Sequence, residues 1–188
     1  MAAALTIGTA IPSDGRAQTG PFESIDLSVR VASDVNHATF HDFWDPGVGV
    51  EASLGFPFYA GALRIGVQQF HNDPIGVTTV GFRSRYFHGG WDGGLRVAPR
   101  LTWRTGVHAG LYHVWFDADT IPEFSRSESE FAIGGRSLLE YVLGSRWLLG
   151  ASADYQLVLT HERIHRVMLG VGVGYRFPSP GLLRDFLR

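Results

Sequence analysis

Five residues near the C-terminal end read HERIH, His161 to His165, the H-E-x-x-H spacing of a zinc-hydrolase site. On a helix the two histidines share a face and reach one ion, with the glutamate as base. On an extended strand they stand about 13 Å apart and cannot. A second group, in NHATFHDFWD, offers His37, His41, Asp42 and Asp45 among Phe40, Phe43 and Trp44. Its spacing matches no fixed ligand geometry. A third set, Ser152, His108 and Asp154, has the residue types of a nucleophile, its base and an orienting acid. What any of them can do depends on the elements that carry them.

The composition points to strands. The 188 residues suit one domain and include 24 Gly, 13 Phe, 6 Tyr and 5 Trp, a profile of turn formers and aromatics. There is no Cys, so disulfides and thiolate metal sites are excluded. A net charge of -2 without a basic run leaves no footprint for nucleic acid. All 16 basic residues are Arg. That fits either a GC-rich codon bias or a use for Arg as the better buried-pair residue. No run approaches about 18 apolar residues, so any membrane crossing would be made by strands. Residues 1–20, MAAALTIGTAIPSDGRAQTG, read as a signal-peptide remnant or a disordered tail.

Period-two alternation recurs eight times, with turn signals between the copies. Ile25, Leu27, Val29 and Val31 oppose Asp26, Ser28 and Arg30. Val48 to Phe56 oppose Gly47, Gly49, Glu51, Ser53 and Gly55, and Leu63, Ile65 and Val67 oppose Arg64, Gly66 and Gln68. In the fourth copy Val80, Phe82, Ser84 and Tyr86 are set against Thr79, Gly81, Arg83 and Arg85, and HGGWDGG is read as a long connecting segment. Leu101, Trp103, Val107 and Leu111 oppose Arg104, Gly106, His108 and Tyr112. Phe131, Ile133, Leu139 and Tyr141 oppose Glu130, Gly134, Arg136 and Glu140, while Trp147, Leu149 and Tyr155 oppose Gly150, Ser152 and Asp154. The last copy, RVMLGVGVGYRF, sets Val167, Leu169, Val171, Val173, Tyr175 and Phe177 against Arg166, Met168, Gly170, Gly172, Gly174 and Arg176. Connections too short for crossover helices make the fold all-β, an eight-stranded antiparallel up-and-down β-barrel over residues 21–177. Its short turns and both termini share one mouth.

Glycine decides which face is inside. The strand glycines fall mostly on the polar parity, where a water-exposed outer surface has no use for them. A narrow lumen does, since long side chains must fit its centre. The same parity carries Asp26, Arg30, Glu51, Arg64, Arg83, Arg85, Arg104, Glu130, Arg136, Glu140, Asp154, Arg166 and Arg176, the makings of an interior charge network with Arg in excess. An Arg facing lipid would cost about 2–4 kcal/mol near the bilayer midplane, so the polar face belongs inside. Phe56, Phe58, Tyr59, Tyr86, Trp103, Tyr141, Trp147, Tyr175 and Phe177 gather near the short-turn end as an interfacial girdle would.

The stretch GVGVGYRF resembles the closing strand of small bacterial outer-membrane barrels of the OmpX/Ail type. The resemblance implies a transmembrane β-barrel in the bacterial outer membrane, with short periplasmic turns and longer extracellular loops. It implies a porin-like architecture without an open pore, and partners among outer-membrane lipids and the barrel-assembly machinery. Gly172, Tyr175 and Phe177 fall where that family carries its insertion signal. Such proteins usually end at the final aromatic, whereas residues 178–188, PSPGLLRDFLR, continue as a periplasmic tail.

The functional expectation is a barrel with a side-chain-filled lumen and a structural or surface-interaction role, without cofactor or metal. The loop over residues 34–46 is a contact surface for lipopolysaccharide or another surface ligand, or else a cap over the mouth. Two alternatives stand beside it: an outer-membrane lipid-modifying enzyme, and a soluble lipocalin-like binder of an apolar ligand. Against the enzyme, no histidine is followed two places on by serine, the pair that lipid A deacylases use.

Overall fold

The computed structural model describes residues 22–36, 39–76, 80–117, 127–161 and 163–181. Its strands are β1 (Ser24–Asp34), β2 (Trp44–Pro46), β3 (Gly49–Phe58), β4 (Gly61–Pro74), β5 (Phe82–Ala98), β6 (Leu101–Phe116), β7 (Ser127–Leu143), β8 (Trp147–Val158) and β9 (Ile164–Pro178). The described sheet therefore has nine strands where the sequence predicts eight. The extra one, β2, is three residues long, too short for alternation to reveal. It pairs with the end of β4, setting Trp44 opposite Pro74. Trp44 Nε1 donates to the Val80 carbonyl at 2.8 Å, and its ring meets Phe82 edge-on.

The eight long strands pair antiparallel in an unbroken cycle. The order runs β4, β3, β1, β9, β8, β7, β6, β5, and β5 returns to β4 along a register from Gly61 opposite Gly93 to Asn72 opposite Phe82. Each long strand thus has a hydrogen-bonded neighbour on both sides, which removes the exposed edge an open sheet would present. Ser24 lies opposite Pro178 at the end that carries the three short turns, Tyr59–Ala60, Pro99–Arg100 and Gly144–Arg146. Gly144 takes φ 67°, a left-handed conformation that a tight turn asks of glycine.

HGGWDGG is strand, not connection. β5 runs through it for 17 residues, and the turn to β6 is two residues long. Its glycines allow close approach instead of chain reversal: a Cβ at Gly90 would overlap the Val107 carbonyl of β6.

Seven of the eight alternations keep their polar parity inside. Arg30 is 5% exposed and its neighbours Val29 and Val31 are 46% and 44%. On β5 the assignment is reversed. Phe82, Ser84, Tyr86, His88 and Asp92 are buried in the lumen, while Arg83, Phe87 and Trp91 face outward and Arg85 shares their parity. Reading the parity through Phe87, Trp91 and Leu95 corrects it, because those large apolar residues can share an outer face only if Arg83 and Arg85 share it too. Tyr86 consequently leaves the girdle for the core, where it packs with Tyr112, Ala132 and Val158.

The chain's lack of Cys makes this reversal directly testable. Arg83→Cys in the folded protein is expected to react fully with a water-soluble maleimide. Ser84→Cys, at a position 1% exposed, should react only after unfolding. Labelling of Ser84→Cys ahead of Arg83→Cys would restore the original parity.

Candidate functional site

The lumen holds its charges in three layers. Nearest the short turns, Arg176 hydrogen-bonds Asp26 at 2.7 and 2.8 Å and lies 3.9 Å from Glu140. Arg104 stands between Glu140 at 3.5 Å and Asp92 at 3.6 Å. Arg64 completes the series, donating to Asp92 at 3.1 and 3.2 Å. Asp26 and Arg64 then face each other across Gly55 of β3, whose added Cβ would lie 3.6 Å from Asp26 and 3.5 Å from the Arg64 guanidinium. Positive and negative groups alternate from Asp26 round to Arg64. A side chain at position 55 would stand in the gap between the two ends.

The middle layer centres on Glu51 of β3. It receives Arg30 from the adjacent β1, and Arg136 from across the lumen at 2.8 and 3.1 Å. Arg136 also binds Asp154 of β8. His88 Nε2 lies 3.5 Å from Glu51, and the His88 and His108 rings stand 5.4 Å apart. The Tyr86 hydroxyl meets His108 Nδ1 at 2.9 Å. In the upper layer the fully buried Arg166 donates to Asp34 at 2.8 Å and to the Tyr112 hydroxyl at 3.3 Å, with its guanidinium 4.1 Å above the Phe70 ring. Charge-assisted bonds of this kind are strong because buried charges left alone are costly.

Six arginines face six carboxylates in these layers, so the expected excess of Arg disappears. Three changes produce the balance, one of them that Glu130 stays out of the ion pairs. Arg83 and Arg85 leave for the outer surface, the first 3.6 Å from Asp117 and the second bound to Gln69. Asp34 and Asp92, absent from the expected network, enter it. Both were within reach of the sequence: Asp34 continues the β1 parity by two steps beyond Ala32, and Asp92 follows once HGGWDGG is read as strand. Arg30, Glu51, Arg64, Arg104, Arg136, Glu140, Asp154, Arg166 and Arg176 all come together. Glu130 lies on the inward parity, half-buried, and takes no part in the ion pairs.

Of the residues matched to the insertion signal, Gly172 lies on the lumen parity against Arg30, and a Cβ there would overlap that side chain. Tyr175 and Phe177 lie on the outer parity, their ring centroids 4.7 Å apart, and Trp147 packs edge-on against Tyr175.

The groups first considered for chemistry are not assembled for it. Asp154 belongs to Arg136 and His108 Nδ1 to Tyr86, and no hydrogen bond joins them to Ser152. His165 sits on β9, an extended strand, with Nδ1 2.7 Å from the Tyr155 hydroxyl; Glu162 lies outside the described residues. His41 approaches Asp34 at 3.7 Å, and His37 lies outside the described residues. Among the described residues no group of three His, Asp or Glu is arranged to hold a metal. Residues 1–20, and residues 182–188 of the expected 178–188 tail, also lie outside them.

Among the described residues, cavities of about 30 and 20 Å³ lie between the layers. Each has room for one or two waters. Away from the rung of Arg83 and Arg85 the outer parity is largely apolar, with Leu27, Val29, Val31, Leu169, Val171 and Val173 all exposed, which opposes the lipocalin-like reading, since that binder would turn its apolar residues inward.

No protein-family model matches the chain, and no curated protein matches it significantly. Solved structures do. Neisserial surface protein A superposes with a TM-score of 0.60 at 11% identity, over 82% of this chain and 96% of that one. The outer membrane protein H of Pseudomonas aeruginosa gives 0.58 at 12% identity, over 82% and 99%. Ail, the attachment invasion locus protein of Yersinia pestis, gives 0.56 at 15% identity, over the same shares. Alternating strands, an apolar outside and a hydrogen-bonded cycle meet in these comparisons, and the chain has the fold of the small bacterial outer-membrane β-barrels.

Proposed function

We propose that the chain resides in the bacterial outer membrane as an eight-stranded up-and-down transmembrane barrel, with its short turns periplasmic and its longer loops at the cell surface. Its role is structural or one of surface interaction, and it is not an open pore. The observation that carries this reading is the lumen: twelve ion-paired side chains stack across it, and the cavities between their layers measure about 30 and 20 Å³. A hydrated ion needs a continuous path of water, and stacked charge layers interrupt it.

Outer-membrane lipids, including lipopolysaccharide, are the surroundings that the apolar exterior would meet, and the barrel-assembly machinery would insert it. The surface contact falls to the 34–46 loop. β2 pins this loop to β4 at the rim, leaving Phe43 46% exposed. The fold shared with a neisserial surface protein and with an attachment invasion locus protein supports a role at the surface.

The test is reconstitution of the full chain in planar bilayers. Protein that shows the heat-dependent gel shift of a closed barrel is expected to give no stepwise conductance. Stable, reproducible steps from shifted protein would overturn the plugged reading. A chain that stays monomeric in plain buffer without detergent would overturn the membrane placement itself.

A further inference from the structure

β5 turns two arginines toward the outside of an otherwise apolar barrel, and the register shows where. Val67, Phe87, Leu111 and Phe131 form one outward rung across β4, β5, β6 and β7. The next rung toward the long loops reads Gln69, Arg85, His113 and Ser129, and the one beyond it begins His71, Arg83, Trp115. The outer surface thus changes from apolar to polar within a single step on four neighbouring strands. A membrane-spanning barrel places such a step where hydrocarbon gives way to headgroups.

The arginines at this step are held in place. Arg85 donates to Gln69 Oε1 through Nε and Nη2, at 3.3 and 3.0 Å, and its guanidinium lies 5.1 Å from the Trp115 ring centre. Arg83 leans on Asp117 through Nε at 3.6 Å, and its side chain is 63% exposed. Between them runs a groove of about 380 Å³, lined by Gln69, Arg83, Arg85, Trp115, Phe116 and Asp117. Arg85 Nη1 and both terminal nitrogens of Arg83 make no hydrogen bond among the described residues.

We propose that this groove binds the phosphate of an outer-leaflet lipid. The open terminal fork of Arg83 and the free Nη1 of Arg85 supply charge-matched donors to a phosphate at headgroup depth. The rung below them, Phe87 and Leu111, offers apolar surface to the attached acyl chains. Trp115 sits at the interface as an aromatic of mixed character does. Asp117 tethers Arg83 at the edge of the groove. The site rests on the membrane placement proposed above and gives that placement a specific lipid contact.

The test uses the full chain, folded in neutral detergent, with lipid retention read by native mass spectrometry. The probes are a hexa-acyl glucosamine-disaccharide lipid carrying two phosphates and the same lipid with its phosphates removed. The parent is expected to retain the phosphorylated lipid at least tenfold better than R83Q/R85Q does. The two proteins should hold the dephosphorylated lipid equally weakly, and excess inorganic phosphate should not displace the lipid. Arg146→Gln, at the opposite mouth, should bind as the parent does.

Equal retention by the parent and R83Q/R85Q, or an equal loss in Arg146→Gln, overturns the site. Displacement by inorganic phosphate reassigns the groove to soluble anions and overturns the lipid assignment. A parent without the heat-dependent gel shift sinks the membrane placement and this site with it. A shifted parent with equal retention sinks the site alone.

Discussion

Glu51→Ala is expected to lower the unfolding free energy by about 3–5 kcal/mol, the cost of breaking a buried ion pair by removing one partner. Glu51 touches Arg30, Arg136 and His88, so its removal leaves two buried guanidinium groups with Asp154 as the remaining carboxylate of that layer. Arg83→Gln breaks only an exposed pair and should change stability by less than about 1 kcal/mol. Glu51→Gln, which keeps an acceptor but loses the charge, should fall between them. Urea titration in lipid vesicles, followed by loss of the compact heat-modifiable band, measures all three. Coincident midpoints for Glu51→Ala and Arg83→Gln would mean that the charge layers do not hold the barrel together.

The second large effect separates adjacent residues on one strand. Val171 lies at the middle of β9 on the outer face, 60% exposed, between Val31 of β1 and Ala151 of β8. Val171→Arg places a charge against lipid and should cost about 2–4 kcal/mol near the midplane. Gly172, one step on, faces inward, and even a Cβ there would overlap the Arg30 side chain and the Val29 carbonyl. The carbonyl belongs to the β1–β9 pairing and cannot retreat without opening it. Gly172→Leu should therefore cost about 1–3 kcal/mol or more through overpacking. Both variants are expected to fold into vesicles in lower yield than the parent. If Gly172→Lys folds like the parent, the lumen is not where the structure places it.

Much of the candidate site was legible in single strands. Arg30 with Glu51 and Arg136 with Asp154 are cross-strand neighbours, and each lies on a parity that its own strand declares. The β5 error shows how local that evidence is. Thr79 to Arg85 alternate equally well in either sense when read alone, because Phe82 and Tyr86 are as acceptable in a lumen as in lipid. Only the continuation through Trp91 and Leu95 breaks the tie, and the glycines around Asp92 disguised it as a turn. β2 left no signal at all, since three residues make no period and its pairing depends on Asn72 to Pro74, far along the chain.

Three features follow from residue order along the chain: apolar and polar residues alternate over eight long stretches, glycine and charge share a parity, and the polar parity must be enclosed. Those are properties of a two-residue repeat, read along one strand at a time. Which charges meet depends on how the strands are staggered around the lumen. Arg136 reaches Glu51 from across the lumen, and Arg64 and Arg104 share Asp92 because the stagger of neighbouring strands brings their inward residues to one height. Ion pairing acts over a few ångströms in three dimensions, and strand stagger is a property of the closed ring of strands that no single strand carries.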